Sequence, residues 1–567
     1  MRTTPDELTR EYRRRGWWSD RRIPDFFAAS ARAVPDQFAV LDPPNREALT
    51  GDAPQRYTYA RYADLVDGYA LRLLELGLRR DDFLITQLPN IAEYPAVYLA
   101  AMRLGIVVSP VPMQFRRHEL QPIADLTQAR AILVAPSFKG ADCTAAALEL
   151  AAGRDLRVLT LGSAEVQGCA PLIPVALDAA SRERLAQHES ALGLSADDIA
   201  TVCWTSGTEG LPKGVPRSHN HWICISHAHF HGAGIQRGER LLNPFPLINM
   251  AAIGGCFMSW LHSAGTLVLH HPLDLPVYFR QIAVERPQYA IAPPAVLNML
   301  LKDEKLLASV DLSSLRCIGS GSAPLDPEMI AGYRDRFGIE VVNAFGSNEG
   351  VSLMSNATNA KDPVHRARMF PALGRDDVQW EAPGLAHIRT RLVDPETGDA
   401  IAGAGRPGEL QITGPTVFDG YFRNPEVTAK SFTDDGWFRT GDLFELAGDD
   451  AQPRYYRFVG RLKQLIVRGG MKIAPEELDN VLSQMPGVIE GAVAAYRDEI
   501  LGERICAVLV PRPGTQPTLE SVCQHFQAAG VAIFKHPERL RIVEQLPRNS
   551  VGKVLRGDLQ KIAAADG

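Results

Sequence analysis

An α/β fold in two parts is what this sequence predicts: a large N-terminal domain of layered sheets and helices over 1–461, ending in a β-rich subdomain, and a small α+β domain over 462–567. Three observations lead there. At 567 residues the chain is too long for one hydrophobic core. Short apolar runs alternate with amphipathic stretches, the rhythm of a parallel sheet covered on both faces. Near residue 461 the texture changes to a compact unit of about a hundred residues, a normal small-domain size.

In chain order, residues 9–33 are arginine-rich and aromatic, with Trp17, Trp18, Phe26 and Phe27 as anchors of a helical segment. Apolar residues then recur at helical spacing from Leu65 to Leu76, followed by a buried strand over 82–88. A helix at 94–104, a strand at Val107–Val108, a helix at 117–126 and a strand at 131–134 continue the alternation. Asp198 to Trp204 reads as another buried strand. After it come strands at 265–269, 289–292, 315–318 and 340–343, the last closing just before Phe345, with a helix at 294–301. From 383 to 436 short strands and turns dominate. Beyond 461, helices at 475–482 and 519–529 interleave with strands at 491–496, 505–510 and 540–543.

Composition removes several classes of function. A net charge of −6 supplies no basic field for nucleic acid. The N-terminus has no apolar run after its charges, so no secretory signal is expected. No stretch reaches the ~18 apolar residues of a membrane helix. Eight dispersed cysteines without Cys-x-x-Cys spacing fit the reduced thiols of a cytoplasmic protein.

The chemistry concentrates in four elements. The first is Thr205-Ser206-Gly207-Thr208-Glu209-Gly210-Leu211-Pro212-Lys213-Gly214, where glycines, hydroxyls and one lysine can bring N–H, O–H and ammonium donors to a polyanion. It is not a Walker loop, since Lys213 lies between Pro212 and Gly214. The second is Phe345-Gly346-Ser347-Asn348-Glu349-Gly350. The third is Gly436-Trp437-Phe438-Arg439-Thr440-Gly441-Asp442, followed by Gly460-Arg461-Leu462-Lys463-Gln464 and Arg468-Gly469-Gly470-Met471-Lys472-Ile473. The fourth is Pro547-Arg548-Asn549-Ser550-Val551-Gly552-Lys553. Each taken alone also reads as an ordinary turn.

Together and in this order they resemble the adenylate-forming superfamily of acyl-CoA synthetases, aryl-acid ligases, nonribosomal adenylation domains and luciferases. The resemblance implies an ATP-dependent acid–thiol ligase that works through an acyl-adenylate. It implies that Thr205, Ser206, Gly207, Thr208, Gly210 and Lys213 cradle phosphate and that Phe345 stacks on adenine beside Gly321, Ser322, Ala323, Asn343 and Gly346. Asn348, where threonine is usual, would hold a phosphate oxygen through its amide. Glu349 and Thr208 would hold Mg²⁺, a hard cation that takes oxygen ligands. Asp442 and Arg461 would bind ribose, and Lys553 would stabilise charge developing between carboxylate and α-phosphate. His219 would support the phosphate loop or the pocket. Lys463 would be the hinge of a mobile small domain, whose Gly469-Gly470 loop helps form a pantetheine tunnel. Three departures stand out: Glu209 replaces a threonine, Gln464 an acid, and Asn549 is inserted before Ser550.

The same likeness places an acyl pocket at Trp222, Asn249, Met250, Ser320 and Val351. That set lacks the aspartate that would meet an amino group and any cation for a second carboxylate. It argues for an alicyclic, aryl or medium-chain acid rather than an α-amino acid. Met250, where siderophore-pathway ligases tend to have asparagine, argues against dihydroxybenzoate or salicylate. The expected partners are ATP, Mg²⁺, a carboxylic acid and coenzyme A, in a monomer or homodimer. The alternative acceptor is the phosphopantetheine thiol of a separate carrier protein. The histidines at 219, 221, 227, 229 and 231 lack a nearby carboxylate or cysteine to complete a metal site.

Overall fold

The structure, a computed structural model, describes residues 1–567 except 206–211, 322–324, 376–377, 379, 381–386, 449–452, 469–470, 499, 550–551 and 566–567, and except the side chain of Lys472. Among the described residues the strands form two large sheets, two of five strands and a small two-stranded pair. The eight-stranded sheet runs, in spatial order, Ser352–Ser355, Glu340–Gly346, Cys317–Gly321, Tyr289–Ile291, Arg240–Asn243, Thr266–Leu269, Phe38–Leu41, Arg56–Thr58. Its inner pairs are parallel and its two outermost pairs antiparallel. The seven-stranded sheet is parallel except at one edge, where Lys213–Ser218 runs antiparallel beside Ile199–Thr205. Pro216 is tolerated in that edge strand because an outer strand need not donate every N–H.

The largest apolar cluster joins the helices between these sheets. Helix Glu93–Arg103 buries nearly every face, as a helix apolar all round must. Tyr94 and Tyr98 lie within it, and the Tyr98 hydroxyl donates to the carbonyl of Leu247 at 2.7 Å. A third, antiparallel sheet orders Met369–Pro371, Tyr455–Arg461, Phe438–Ala447, Gly408–Thr413 and Arg389–Val393. The C-terminal region has its own sheet, Met471–Ile473, Ile466–Arg468, Gly502–Pro511 and Val488–Asp498, with Arg539–Ile542 added in parallel. It also has two apolar clusters of its own.

Two expected strands are placed differently. The strand at 340 does not stop before Phe345: it continues through Gly346, because Ser352–Ser355 folds back and pairs with it. The strand expected at 315–318 spans Cys317–Gly321. At its end a Cβ on Gly321 would collide with the carbonyl oxygen of Ala344, so only glycine allows the two strands to stay paired there. Among the described residues no helix is long and apolar enough to cross a membrane, and all eight cysteines are free thiols.

An N-terminal arm crosses this framework. Trp18 Nε1 donates to the carbonyl of Pro415 at 3.2 Å, and the hydroxyls of Thr3 and Thr4 donate to Asp419 Oδ2 at 3.2 and 2.6 Å. Trp18 also packs edge-on against His221. The arm thereby clamps the loop 415–421 from behind.

Candidate active site

Thr205 and Phe345 lie at the C-terminal ends of strands with parallel neighbours, where open α/β sheets bind ligands. Thr205 ends one strand and Lys213 begins its antiparallel neighbour, so the two face each other across the ladder. Ser206, Gly207, Thr208, Glu209 and Gly210 between them lie outside the described residues, as do Ser322, Ala323, Gly469, Gly470 and Ser550. The Lys213 ammonium sits 5.1 Å from the ring centre of Tyr421. The Tyr421 hydroxyl in turn donates to Glu349 Oε1 at 3.1 Å.

Glu349 is a buried carboxylate. Its own carbonyl accepts the N–H of Phe418 at 2.9 Å, tying it to the loop that the arm clamps. Beneath both runs Arg217, fully buried, donating to the carbonyls of Asn348 at 3.2 Å, Thr416 at 2.8 Å and His221 at 3.3 Å. Burial pulls its pKa down to about 10. Tyr421 and Arg217 were not among the sequence candidates. They stand 72 and 131 residues from the groups they hold, and no local pattern links such pairs.

Asp442 and Arg461 are cross-strand partners in the third sheet, with Nε and Oδ1 at 2.9 Å. Burial pushes the Asp442 carboxyl up to about 6, against the pull of Arg461 and Lys553 and with a further push from Glu349. Lys553 is pushed down to about 8, first by burial and then by Arg461, while Asp442 and Glu476 oppose the shift. These charges feel one another across the junction with the C-terminal region. There a Cβ on Gly460 would press on Ala474 and on Glu476 Oε2, a carboxylate oxygen that is buried without a partner. Asn549, the inserted residue, shapes the turn that presents Lys553. Its Oδ1 accepts the Lys553 N–H at 2.8 Å, and its N–H donates to the Lys553 carbonyl at 2.8 Å. Lys463 lies in the short 3-10 turn Leu462–Gln464 between the third sheet and the C-terminal one.

Phe345 is half-buried among Phe370, Phe444 and Phe458, with ring centres 5.2–5.7 Å away, and Gly346 follows at the strand end. Asn348 spends its side-chain amide oxygen, Oδ1, on accepting the N–H of Met250 at 2.8 Å. Five more of the expected site residues are buried within the protein. Asn343 donates both amide hydrogens to the carbonyls of Arg366 and Ala367, at 3.0 and 2.9 Å, so they are not available to a nucleotide. His219 is sealed in the core, its Nδ1 accepting the Ile23 N–H at 3.3 Å. Burial drops its pKa to about 3, so it packs as a neutral ring and not as an acid or base. Trp222, fully buried, donates its indole N–H to Thr201 at 2.9 Å. Ser320 and Val351 are likewise buried, the Ser320 hydroxyl being spent on the carbonyl of Ala292 at 2.8 Å. Asn249 and Met250 remain partly accessible, with Asn249 capping the short helix Met250–Ala252.

The histidines past 219 pair with rings. His227 stacks on His231 and lies 4.8 Å from His262, centre to centre. Among the described residues no three His, Cys, Asp or Glu side chains are grouped to hold a metal ion.

Residues 35–422 match the family described as AMP-binding enzyme, and 477–553 match the AMP-binding enzyme C-terminal domain. The chain is 30% identical over 568 residues to the 2-hydroxy-7-methoxy-5-methyl-1-naphthoate–CoA ligase of Streptomyces carzinostaticus, covering 99% of this chain and 96% of that one. It is 31% identical to the salicylyl-CoA synthase / salicylate adenylyltransferase of a Streptomyces species, covering 98% and 96%. Against the medium-chain fatty-acid–CoA ligase of Escherichia coli the identity is 30%, covering 97% and 92%. Among solved structures, ATP-bound MatB from Rhodopseudomonas palustris superposes with a TM-score of 0.74 at 25% identity, covering 95% and 98%. The anthranilate CoA ligase AuaEII with anthranoyl-AMP reaches 0.77 at 19% identity, covering 96% and 97%, and shares the fold.

Proposed function

Because the chain belongs to the AMP-binding enzyme family, we propose that it activates a carboxylic acid with ATP as an acyl-adenylate and passes the acyl group to coenzyme A. The observation that carries this reading is the meeting of Asp442, Arg461, Glu349 and Lys553, from separate parts of the chain, in one electrostatically linked group. Relatives named as CoA ligases for naphthoate, fatty and salicylate acids support coenzyme A as acceptor and an aryl or medium-chain acid as substrate.

The division of labour follows from the chemistry. A carboxylate is a poor electrophile, so its oxygen first attacks the α-phosphorus and pyrophosphate leaves. Positioning and charge neutralisation supply most of the acceleration. Asp442 accepts from ribose hydroxyls, Phe345 offers a ring face to the base, and Lys553 places its ammonium where charge builds on the acyl-phosphate oxygens. A divalent magnesium ion fits Glu349, a buried carboxylate with one oxygen on Tyr421 and no cationic ion-pair partner among the described residues. Glu349 with Thr208 would hold it, and it would neutralise phosphate charge. The arrangement seen, with Lys553 beside Asp442 and Arg461, suits this first half. For the second half the C-terminal region turns about Lys463, withdrawing Lys553 and admitting the thiol.

The pH profile follows from two shifted groups. Asp442 must be ionised to accept from ribose, so a carboxyl raised to about 6 makes activity fall as pH drops through 6. Lys553 must be protonated, so an ammonium lowered to about 8 makes adenylation fall as pH rises through 8. The expected bell is read by pyrophosphate release. Lys553→Arg, whose side chain stays charged, should remove the alkaline limb.

The reaction itself is tested by supplying Mg²⁺-ATP and a panel of carboxylic acids, with either coenzyme A or a phosphopantetheinylated carrier protein. Pyrophosphate together with an acyl-CoA product is expected. Pyrophosphate with thioester on the carrier alone would overturn the choice of acceptor, and no pyrophosphate with any acid would overturn the reading as a ligase.

A further inference from the structure

The helix His219–Gly232 carries Trp222 and His229 seven residues apart, on one face. Trp222 fills its space completely, but His229 does not. His229 Nε2 lies 2.7 Å from the Tyr289 hydroxyl, and the two rings meet edge to face at 5.6 Å. Tyr289 begins a central strand of the eight-stranded sheet and is fully buried. The imidazole therefore looks into the protein, toward the sheet, and is still partly accessible. Met250, Ala251, Gly321 and Ala344 are partly accessible too, and all but Gly321 pack against the main core. The accessible surface of these groups, beside the main core, outlines a space between the helix and the sheet ends.

Glycines shape the end of that space. A Cβ on Gly319 would collide with the Tyr289 hydroxyl, and one on Gly255 would press on the His229 ring at 3.2 Å. Gly255 belongs to the π-helical turn Ile253–Phe257, a distortion frequent at functional sites. Gly319 pairs with Val342, four residues before Gly346. At the rise of a strand, the histidine–tyrosine end is thus roughly 13 Å below the Gly346 rim.

Resting on the ligase reading above, we propose that this space is the acyl slot, that His229 and Tyr289 form its floor, and that the acid it takes carries a neutral hydrogen-bond acceptor at the end remote from its carboxylate. The acceptor is a hydroxyl, ether or carbonyl oxygen, or a ring nitrogen. The direction of the bond follows from the pair. Nε2 is the one hydrogen-bond partner of the buried Tyr289 hydroxyl among the described residues, so the hydroxyl donates its proton to Nε2, since the reverse would leave that proton buried and unpartnered. His229, lowered to about 4 by burial, is neutral with its remaining proton on Nδ1. Nδ1 has no hydrogen-bond partner among the described residues. The floor thus offers one N–H and no charge. A second carboxylate there would be a buried ion facing a neutral ring, at high desolvation cost.

The test uses pairs of ring-bearing or medium-chain acids that differ only by an acceptor at the far end, followed by pyrophosphate release. The wild-type protein is expected to prefer the acceptor-bearing acid by about tenfold or more in kcat/KM. His229→Leu should erase that preference, costing the acceptor-bearing acid about tenfold more in kcat/KM than the plain acid. Tyr289→Phe keeps the ring packing and frees the tautomer, and should shrink the preference severalfold. Equal rates for both acids with wild type, or equal losses for both with His229→Leu, would overturn the proposal. If no acid releases pyrophosphate, the ligase reading fails, and calorimetric titration of the same acid pairs still decides the floor. A preference in affinity that His229→Leu abolishes upholds it, and equal affinities overturn it.

Discussion

Lys553→Ala is expected to lower acyl-adenylate formation by about a hundredfold to a thousandfold, the loss typical of removing one group aimed at developing charge. Arg461 is engaged with Asp442 at 2.9 Å and occupies the ribose side of the cluster. Burial has already lowered Lys553 to about 8, a sign that it is held in a poorly solvated position, where a charge acts strongly on its neighbours. Thioester formation from preformed acyl-adenylate should proceed within about threefold of wild type, because withdrawal of this lysine is part of the second half. Quenched-flow measurement of both halves checks the split. Equal losses in the two would remove Lys553 from its role.

Glu349→Gln is the second large effect. Glutamine keeps the shape and still accepts from Tyr421, so the fold around the 415–421 loop should hold. What disappears is a buried negative charge. Pyrophosphate release should fall by about a hundredfold, and the dependence on Mg²⁺ concentration should move to higher values. Tyr421→Phe separates charge from placement: it removes one hydrogen bond, worth about 1 kcal/mol, and should cost no more than about tenfold. A Glu349→Gln protein with unaltered magnesium dependence would refute the assignment.

The alternation of strands and helices was legible because each element obeys a local period. The strand at 131–134 and the helix from 117 sit within a residue of expectation. The strand through Phe345 runs past its expected end, since its extension depends on a partner six to ten residues downstream. The motif residues themselves stand out in the sequence, but the groups behind them do not. Tyr421, Arg217 and Glu476 act through distant contacts. The pocket was harder still. Trp222, Ser320 and Val351 have suitable chemistry, yet each is enclosed by its neighbours, and burial is decided by the whole packing. His229 carried a readable signal in its seven-residue spacing from Trp222, but the cluster of histidines drew attention to metal.

The arm from Thr3 to Trp18 closes a contact with Pro415 across 397 positions of sequence. During synthesis the arm emerges well before its partner at Pro415. At ~5–20 residues per second the wait is roughly 20 to 80 s. For that interval Trp17 and Trp18 stand open to solvent or to chaperones, while the sheets behind them already have what they need to condense. Closure of the arm is therefore a late event, after which the loop bearing Tyr421 is fixed and the glutamate it holds is set in place.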